Sequence, residues 1–142
     1  QQLTFGLGLP PELNHRDIST ISPNAPTGNN SGMYWGWATM YRFVLFSGHF
    51  DNDPTATGDP PYNFDLHTGF DTCYRTRNIP IDLHFGADDT MRLTLDVDIA
   101  KFFINATDTL DLSQTAIYHG TDGPIEVGIK LANLESDAFS VE

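Results

Sequence analysis

Apolar residues alternate with polar or small ones along several short stretches, and this period of two constrains the fold more than any other feature. The first stretch covers residues 3–9 and stops at a Pro-Pro pair. Two more cover residues 79–86 and 91–99, with the turn-forming residues 86–89 between them. Because side chains alternate across a pleated strand, the pattern predicts three strands, and the last two predict an antiparallel hairpin.

The rest of the chain predicts loops and little helix. Residues 19–32 and 51–62 are polar and rich in turn formers, which is typical of long surface loops. Residues 124–134 have apolar spacing that favours a short amphipathic helix, although Gly128 weakens this prediction. We therefore expect an all-β or β-rich fold, an antiparallel β-sandwich with long loops and one or two short helices. With 142 residues, we expect a single domain over 1–142.

Composition narrows the possible partners. Nineteen acidic and seven basic residues give a formal charge of −12, which opposes binding to nucleic acid and favours cations. Cys73 is the single cysteine, so an internal disulfide and multi-cysteine zinc sites are excluded. No apolar stretch reaches the length of a transmembrane helix. Low lysine with abundant Asn, Thr, Asp and Gly is typical of exported bacterial proteins, and we expect that a presequence or a tag has been removed.

Both tryptophans of the chain fall at the head of an aromatic run, MYWGWATMYRFVLFSGHF, at 33–50. In a strand, Trp35 and Trp37 would lie on the same face, because positions i and i+2 share a side. The residues from 41 onwards are apolar on both faces, which predicts a central strand covered on both sides. The two indoles could be core aromatics, an exposed stacking platform, or part of a chemical site.

The five histidines are scattered and show no spacing that would mark a metal site locally. The alternation of its stretch predicts that His84 is exposed, and His49 is expected in a loop at a strand end. His15 and His67 follow strand-like segments, so the loops of a sandwich could bring them together. A metal site would therefore have to be assembled by the fold.

The carboxylates give a weaker indication. Asp51, Asp53 and Asp59 share an oxygen-rich loop that could bind calcium, but they lack the ordered ligand pattern of a calcium-binding loop. A solvated loop is the alternative. The sequence has no nucleophile elbow, no phosphate-binding glycine loop and no acid–base pair held in a cleft, so we expect no enzymatic activity.

Five segments of the chain, in order, resemble the MbnP-like family of bacterial copper-binding proteins, which includes the methanotroph MopE and copper-repressible CorA types. The segments are PELNH at 11–15, MYWGWATMYRFV at 33–44, FDLHTGFDTCYR at 64–75, DVDIAKFF at 96–103 and LANLESDAF at 131–139. The resemblance implies an exported copper protein in which two histidines and a kynurenine, formed by oxidation of a tryptophan, hold Cu(I).

Carried over to this chain, the resemblance implies His15 and His67 as the histidine ligands. It implies Trp35 or Trp37 as the oxidised residue, without deciding between them, and His119 as a reserve ligand. It further implies a secreted, periplasmic or cell-surface location, a role in copper acquisition or storage, and a tryptophan-oxidising haem enzyme as a partner.

A second hypothesis comes from a different class of protein. The chain could be an extracellular carbohydrate-binding or adhesion sandwich whose surface Trp and Tyr side chains stack on sugar rings, with or without calcium. Exposure separates the two hypotheses, because a stacking platform faces solvent, whereas a copper site brings Trp and His side chains together in a partly buried position.

Overall fold

The computed structural model describes residues 1–82, 84, 86, 90, 92–121 and 123–141. It confirms the β-rich fold class, with 33% strand and 22% helix. The strands are β1 (Gln2–Leu7), β2 (Tyr34–Gly36), β3 (Met40–Phe50), β4 (Tyr62–Gly69), β5 (Arg75–Pro80), β6 (Leu95–Val97), β7 (Ile117–Tyr118) and β8 (Phe139–Val141). The α-helices are α1 (Pro11–Asn14) and α2 (Ile125–Asp137), and short 3-10 helices cover Ile18–Thr20, Asn29–Ser31, Asp71–Cys73 and Ile99–Phe102.

Three sheets are formed by the described residues. The largest has four strands in the order β2-β3-β4-β7, and the two others are the pairs β1-β5 and β6-β8. The pairs are antiparallel except for β4 with β7, which is parallel. The predicted first strand is confirmed as β1, which ends three residues before the Pro-Pro pair.

The predicted hairpin between 79–86 and 91–99 is wrong where its strands are described. Ile79 pairs with Leu3 in the β1-β5 sheet, and Leu95 pairs with Val141 in the β6-β8 sheet. Residues 87–89 of the predicted turn lie outside the described residues. Within the described residues, these two predicted strands overlap observed ones only at 79–80, in β5, and at 95–97, in β6. Alternation also carries no information about which strand each one pairs with.

Strand β3 lies inside the four-stranded sheet, as predicted, but its faces change along its length. Tyr41 and Phe43 are buried, whereas further along the strand Phe46 turns inward and Leu45 is exposed. The register with β4 shifts between Arg42 and Val44, which marks a β-bulge. An extra residue in one strand reverses the alternation beyond it, so the expectation of cover on both faces is wrong for the second half of β3.

Helix α2 confirms the predicted amphipathic helix and covers one face of the large sheet. Its Leu131 and Leu134 pack against the buried side chains of β4 and β7, including Leu66 and Tyr118. Gly128 belongs to this packing, since a Cβ there would stand 2.3 Å from the Tyr118 hydroxyl. A glycine inside the helix therefore lets the tyrosine approach the helix backbone.

The helix also carries a buried acid. Glu135 is 2% exposed, and its carboxyl accepts a hydrogen bond of 2.8 Å from the Thr68 hydroxyl of β4. Burial raises the pKa of Glu135 to about 7, although the hydrogen bond from Thr68 and the charge of Arg75 act in the opposite direction.

Candidate metal centre

The four-stranded sheet brings three sequence-distant side chains to the face opposite α2. On β4, Phe64, Leu66 and Thr68 are buried, so the alternate residue His67 lies on the other face. The parallel register matches Leu66 with Tyr118, and one step further it sets His119 beside His67. Trp35 reaches the same group of rings from β2.

The three rings are in mutual contact. The imidazoles of His67 and His119 stack with their centroids 4.8 Å apart and their planes at 29°. The indole of Trp35 meets both edge to face, at 6.2 Å from His67 and 5.9 Å from His119. All three side chains are half-buried. We call these three residues the ring triad.

The nitrogens of His67 have unequal surroundings. Nε2 lies 3.3 Å from the hydroxyl of Ser47, whereas Nδ1 is buried and has no hydrogen-bond partner among the described residues. Burial lowers the pKa of His67, the charges of His119 and Arg42 lower it further, and Asp65 opposes them. The lowered pKa favours the neutral imidazole, which is the form that binds metals.

A cation lies against the triad. The guanidinium carbon of Arg42 is 5.2 Å from the centroid of the Trp35 ring. Its Nη2 donates a hydrogen bond of 2.8 Å to the carbonyl oxygen of Gly32. This arrangement is a cation–π contact on an indole face, which holds one positive charge next to the two histidines.

His15, the other predicted ligand, has a different partner. Its Nε2 lies 2.8 Å from Oδ2 of Asp71, and its side chain is 54% exposed. Oδ1 of Asp71 accepts a second hydrogen bond, from the amide of the buried Asn14. The hydrogen bond from the Asn14 side-chain amide has the largest effect and lowers the pKa of Asp71. The hydrogen bond from His15 lowers this pKa as well, whereas desolvation raises it.

His15 and Asp71 line a cavity of about 340 Å³ that also reaches Gly120, the neighbour of His119. Met40 and Phe70 line the same cavity, and both have positive φ angles, of 55° and 66°. Such backbone conformations are strained in residues other than glycine. The contacts of the described residues join His67 to His119 and Trp35, and they join His15 to Asp71.

The two tryptophans do not share a strand face, so that prediction is wrong. Strand β2 ends at Gly36, and Trp37 lies in the turn that leads into β3. Trp37 is 83% exposed, whereas Trp35 is half-buried against the histidines. Because the turn begins directly after Gly36, Trp37 does not lie on the strand face that carries Trp35.

The remaining histidines lie in other surroundings. His84 is confirmed as exposed, and its Nε2 pairs with Asp82 at 3.2 Å. His49 is exposed but lies within β3, where it pairs with Asn63, so its assignment to a loop is wrong. Among the described residues, the ring contacts of the triad involve neither of these histidines.

In the acidic loop at 51–62, carboxylates accept hydrogen bonds from backbone amides of the same loop. Oδ1 of Asp51 accepts from the amide of Asp53, and Oδ1 of Asp53 accepts from the amide of Thr55. Across the described ranges, no group of three or more His, Cys, Asp or Glu is placed to hold a metal ion.

The fold and the triad define a β-rich protein with a two-histidine, one-tryptophan candidate metal centre on one sheet face. Within the described residues, no helix is both long and apolar enough to span a membrane. A sequence-family model described as MbnP matches residues 1–122. The chain belongs to the MbnP family, which confirms the resemblance. Neither a curated protein nor a solved structure matches the chain at a significant level.

Two residues of the site have weak signals in the sequence. His119 precedes a glycine in a polar segment, and its place beside His67 depends on the parallel pairing of β4 with β7. In the sequence, Arg42 is a single charged residue within an aromatic strand. An arginine flanked by aromatic residues on both sides is the signal that could have indicated a cation–π contact.

Proposed function

We propose that this protein binds copper as Cu(I) at the ring triad, with His67 and His119 as the two imidazole ligands. The observation that carries the proposal is the direct contact of these two imidazoles with each other and with Trp35. Imidazole suits copper well, and Cu(I) is satisfied by few ligands. At a centroid distance of 4.8 Å the two rings are close enough to share one ion.

The buried Nδ1 of His67 supports the fit. A buried ring nitrogen without a hydrogen-bond partner is costly, because desolvation is not compensated. A metal ion would supply the missing partner. The lowered pKa of His67 favours the neutral imidazole, in which one ring nitrogen carries no proton and is available for coordination.

Trp35 is the proposed precursor of the third ligand. An unmodified indole nitrogen is only a hydrogen-bond donor and has no basic lone pair. Addition of dioxygen across the C2–C3 bond of the indole gives N-formylkynurenine, and hydrolysis then releases formate and leaves an aniline-type amine. A tryptophan-oxidising haem enzyme is the expected partner for this step. Contact with both imidazoles supports Trp35 over the exposed Trp37.

The ring contacts support His119, the reserve candidate, as the second ligand in place of His15. His15 is hydrogen-bonded to Asp71, and its role as a ligand stays a prediction. The proposed role is exported copper acquisition or storage, in the periplasm or at the cell surface, without enzymatic turnover. The net charge of −12 agrees with a cation as cargo.

Copper binding by single-histidine variants tests the ligand set. We expect His67→Ala and His119→Ala each to weaken Cu(I) binding by more than about 100-fold. This loss is larger than that usual for residues that only hydrogen-bond to a metal ligand. His84→Ala is the matched control, because that side chain is exposed and pairs only with Asp82 in the described residues. The measurement is competition with a chromophoric Cu(I) chelator, with metal content checked by mass spectrometry.

The outcomes separate the two candidate ligand pairs. Wild-type affinity in both His67→Ala and His119→Ala would refute the site. A loss in His15→Ala as large as that in His67→Ala would restore the pair expected from the resemblance, and His119→Ala would then bind normally.

Intact-mass measurement tests the modification. Protein from its native producer should show the mass change of replacing one carbon by one oxygen, and Trp35→Phe should abolish it while Trp37→Phe retains it. Tight Cu(I) binding by protein with two intact tryptophans would refute the role of kynurenine.

The exposed Trp37 keeps the carbohydrate-binding alternative open. At 83% exposure on a hairpin turn, its indole is accessible for stacking on a sugar ring. Tyr34 does not extend such a platform, since it packs on Tyr41 at 5.1 Å. A glycan-array signal that is lost in Trp37→Ala would support this function, whereas no signal for the wild type would remove it.

A further inference from the structure

Arg42 is held in a fixed place beside the ring triad. Its guanidinium lies over the Trp35 ring, and its Nη2 is bonded to the carbonyl oxygen of Gly32. Its Nε is buried and has no hydrogen-bond partner among the described residues. The side chain is half-buried, so solvent screens its charge less than that of a surface arginine.

We propose that Arg42 makes the site select Cu(I) over Cu(II), an inference that rests on the proposed copper site. The fixed positive charge repels a divalent ion more than a monovalent ion, because the repulsion scales with the charge of the ion. The ligands His67 and His119 are neutral when they bind metal, so they do not offset the arginine charge.

The acidic residue nearby, Asp65, does not favour Cu(II) by acting as a ligand of the ion. Asp65 lies two residues before His67 on the same face of β4. It does not form a three-donor group with the two histidines, since the described residues contain no such group. Carboxylate ligands would favour a harder, divalent ion, and the donor set of the triad lacks them.

The size of the effect follows from charge separation. The guanidinium carbon of Arg42 lies 5.2 Å from the Trp35 ring centroid. Removing a charge so close to the triad, in surroundings between protein and water, should change the relative affinity for the two ions by about tenfold. A tenfold change corresponds to about 1.4 kcal/mol. The same change must appear as a lower affinity ratio of Cu(I) to Cu(II) when the charge is removed.

The test compares Arg42→Gln with Arg42→Lys in the full chain. Affinities for Cu(I) and for Cu(II) are measured separately by chelator competition, and their ratio is compared with that of the wild type. We expect the ratio to fall about tenfold in Arg42→Gln and to be retained in Arg42→Lys. Arg92→Gln is the matched control, because Arg92 is exposed and its replacement changes the net charge equally.

A variant of opposite sign completes the design. Asp65→Asn removes a negative charge from the same face, so the ratio should rise. An unchanged ratio in a copper-binding Arg42→Gln protein overturns the inference alone, as does an equal fall in Arg42→Lys. A wild-type protein that binds neither ion overturns the proposed function together with this inference.

Discussion

The buried Glu135 predicts a specific dependence of stability on pH. Its pKa in the folded protein is about 7, against 4.5 for the unperturbed group. The folded state therefore binds more protons than the unfolded state between these values. Below pH 4.5 the neutral carboxyl contributes its full stability, and this contribution is lost as pH rises to about 7. The difference in pKa corresponds to about 3 kcal/mol of unfolding free energy.

Replacing Glu135 with Gln isolates this contribution. Gln keeps an oxygen that can accept the hydrogen bond from Thr68, but it cannot ionise. We expect Glu135→Gln to gain stability relative to the wild type as pH rises from 4.5 to 8, by up to about 3 kcal/mol. Any decrease in the free energy of unfolding that results from burying the NH2 group of the glutamine side chain is independent of pH. It therefore shifts the variant's plot of stability against pH by a constant amount.

Urea unfolding of the metal-free protein at several pH values measures the effect. The difference between variant and wild type is the informative quantity, because His67, with its lowered pKa, gives the opposite slope near pH 6.5 in both proteins. Thr68→Val should raise the pKa of Glu135 further, since it removes the hydrogen bond that favours the ionised form. Parallel stability curves for Glu135→Gln and the wild type would refute the reasoning.

Two further predictions concern packing and buried polar groups. Gly128→Ala should destabilise the protein by about 1–3 kcal/mol despite the higher helix propensity of alanine, because its Cβ would overlap the Tyr118 hydroxyl. Adding Tyr118→Phe to this variant should recover part of the loss, as measured by thermal unfolding. Asn14→Ala should cost about 2 kcal/mol, since Asn14 bonds both the Tyr41 amide and Asp71. For each of Gly128→Ala and Asn14→Ala, a midpoint of unfolding in urea equal to that of the wild type would contradict the prediction made for that variant.

Local pattern predicted most of the strands and the main helix. The alternation at 3–9 gave β1, the aromatic run gave β3 as an interior strand, and the spacing after Pro124 gave α2. These elements each bury one face or stripe, so their periodicity is visible within a few residues. The segment before His67 was expected to be strand-like, and it lies in β4, which continues through His67 to Gly69.

Pairing between distant strands was not predictable in this way. Ile79 was expected opposite the 91–99 stretch but pairs with Leu3, and His119 meets His67 through a short parallel strand of two residues. Parallel pairing leaves no turn signature between its strands, because the connection is long. The family resemblance therefore implied histidine and tryptophan as the chemistry of the site, but the sequence did not determine which histidines meet.

The bulge in β3 explains how one strand serves both the core and the candidate site. In a regular strand Arg42 and Phe46 would lie on the same face, because they are four residues apart. The register shift between Arg42 and Val44 adds one residue, so Arg42 reaches Trp35 on the outer face while Phe46 packs on Phe64 in the core. A bulge is a common device for redirecting a side chain next to a functional site. Its position beside the arginine thus links the irregular backbone to the charge that lies against the triad.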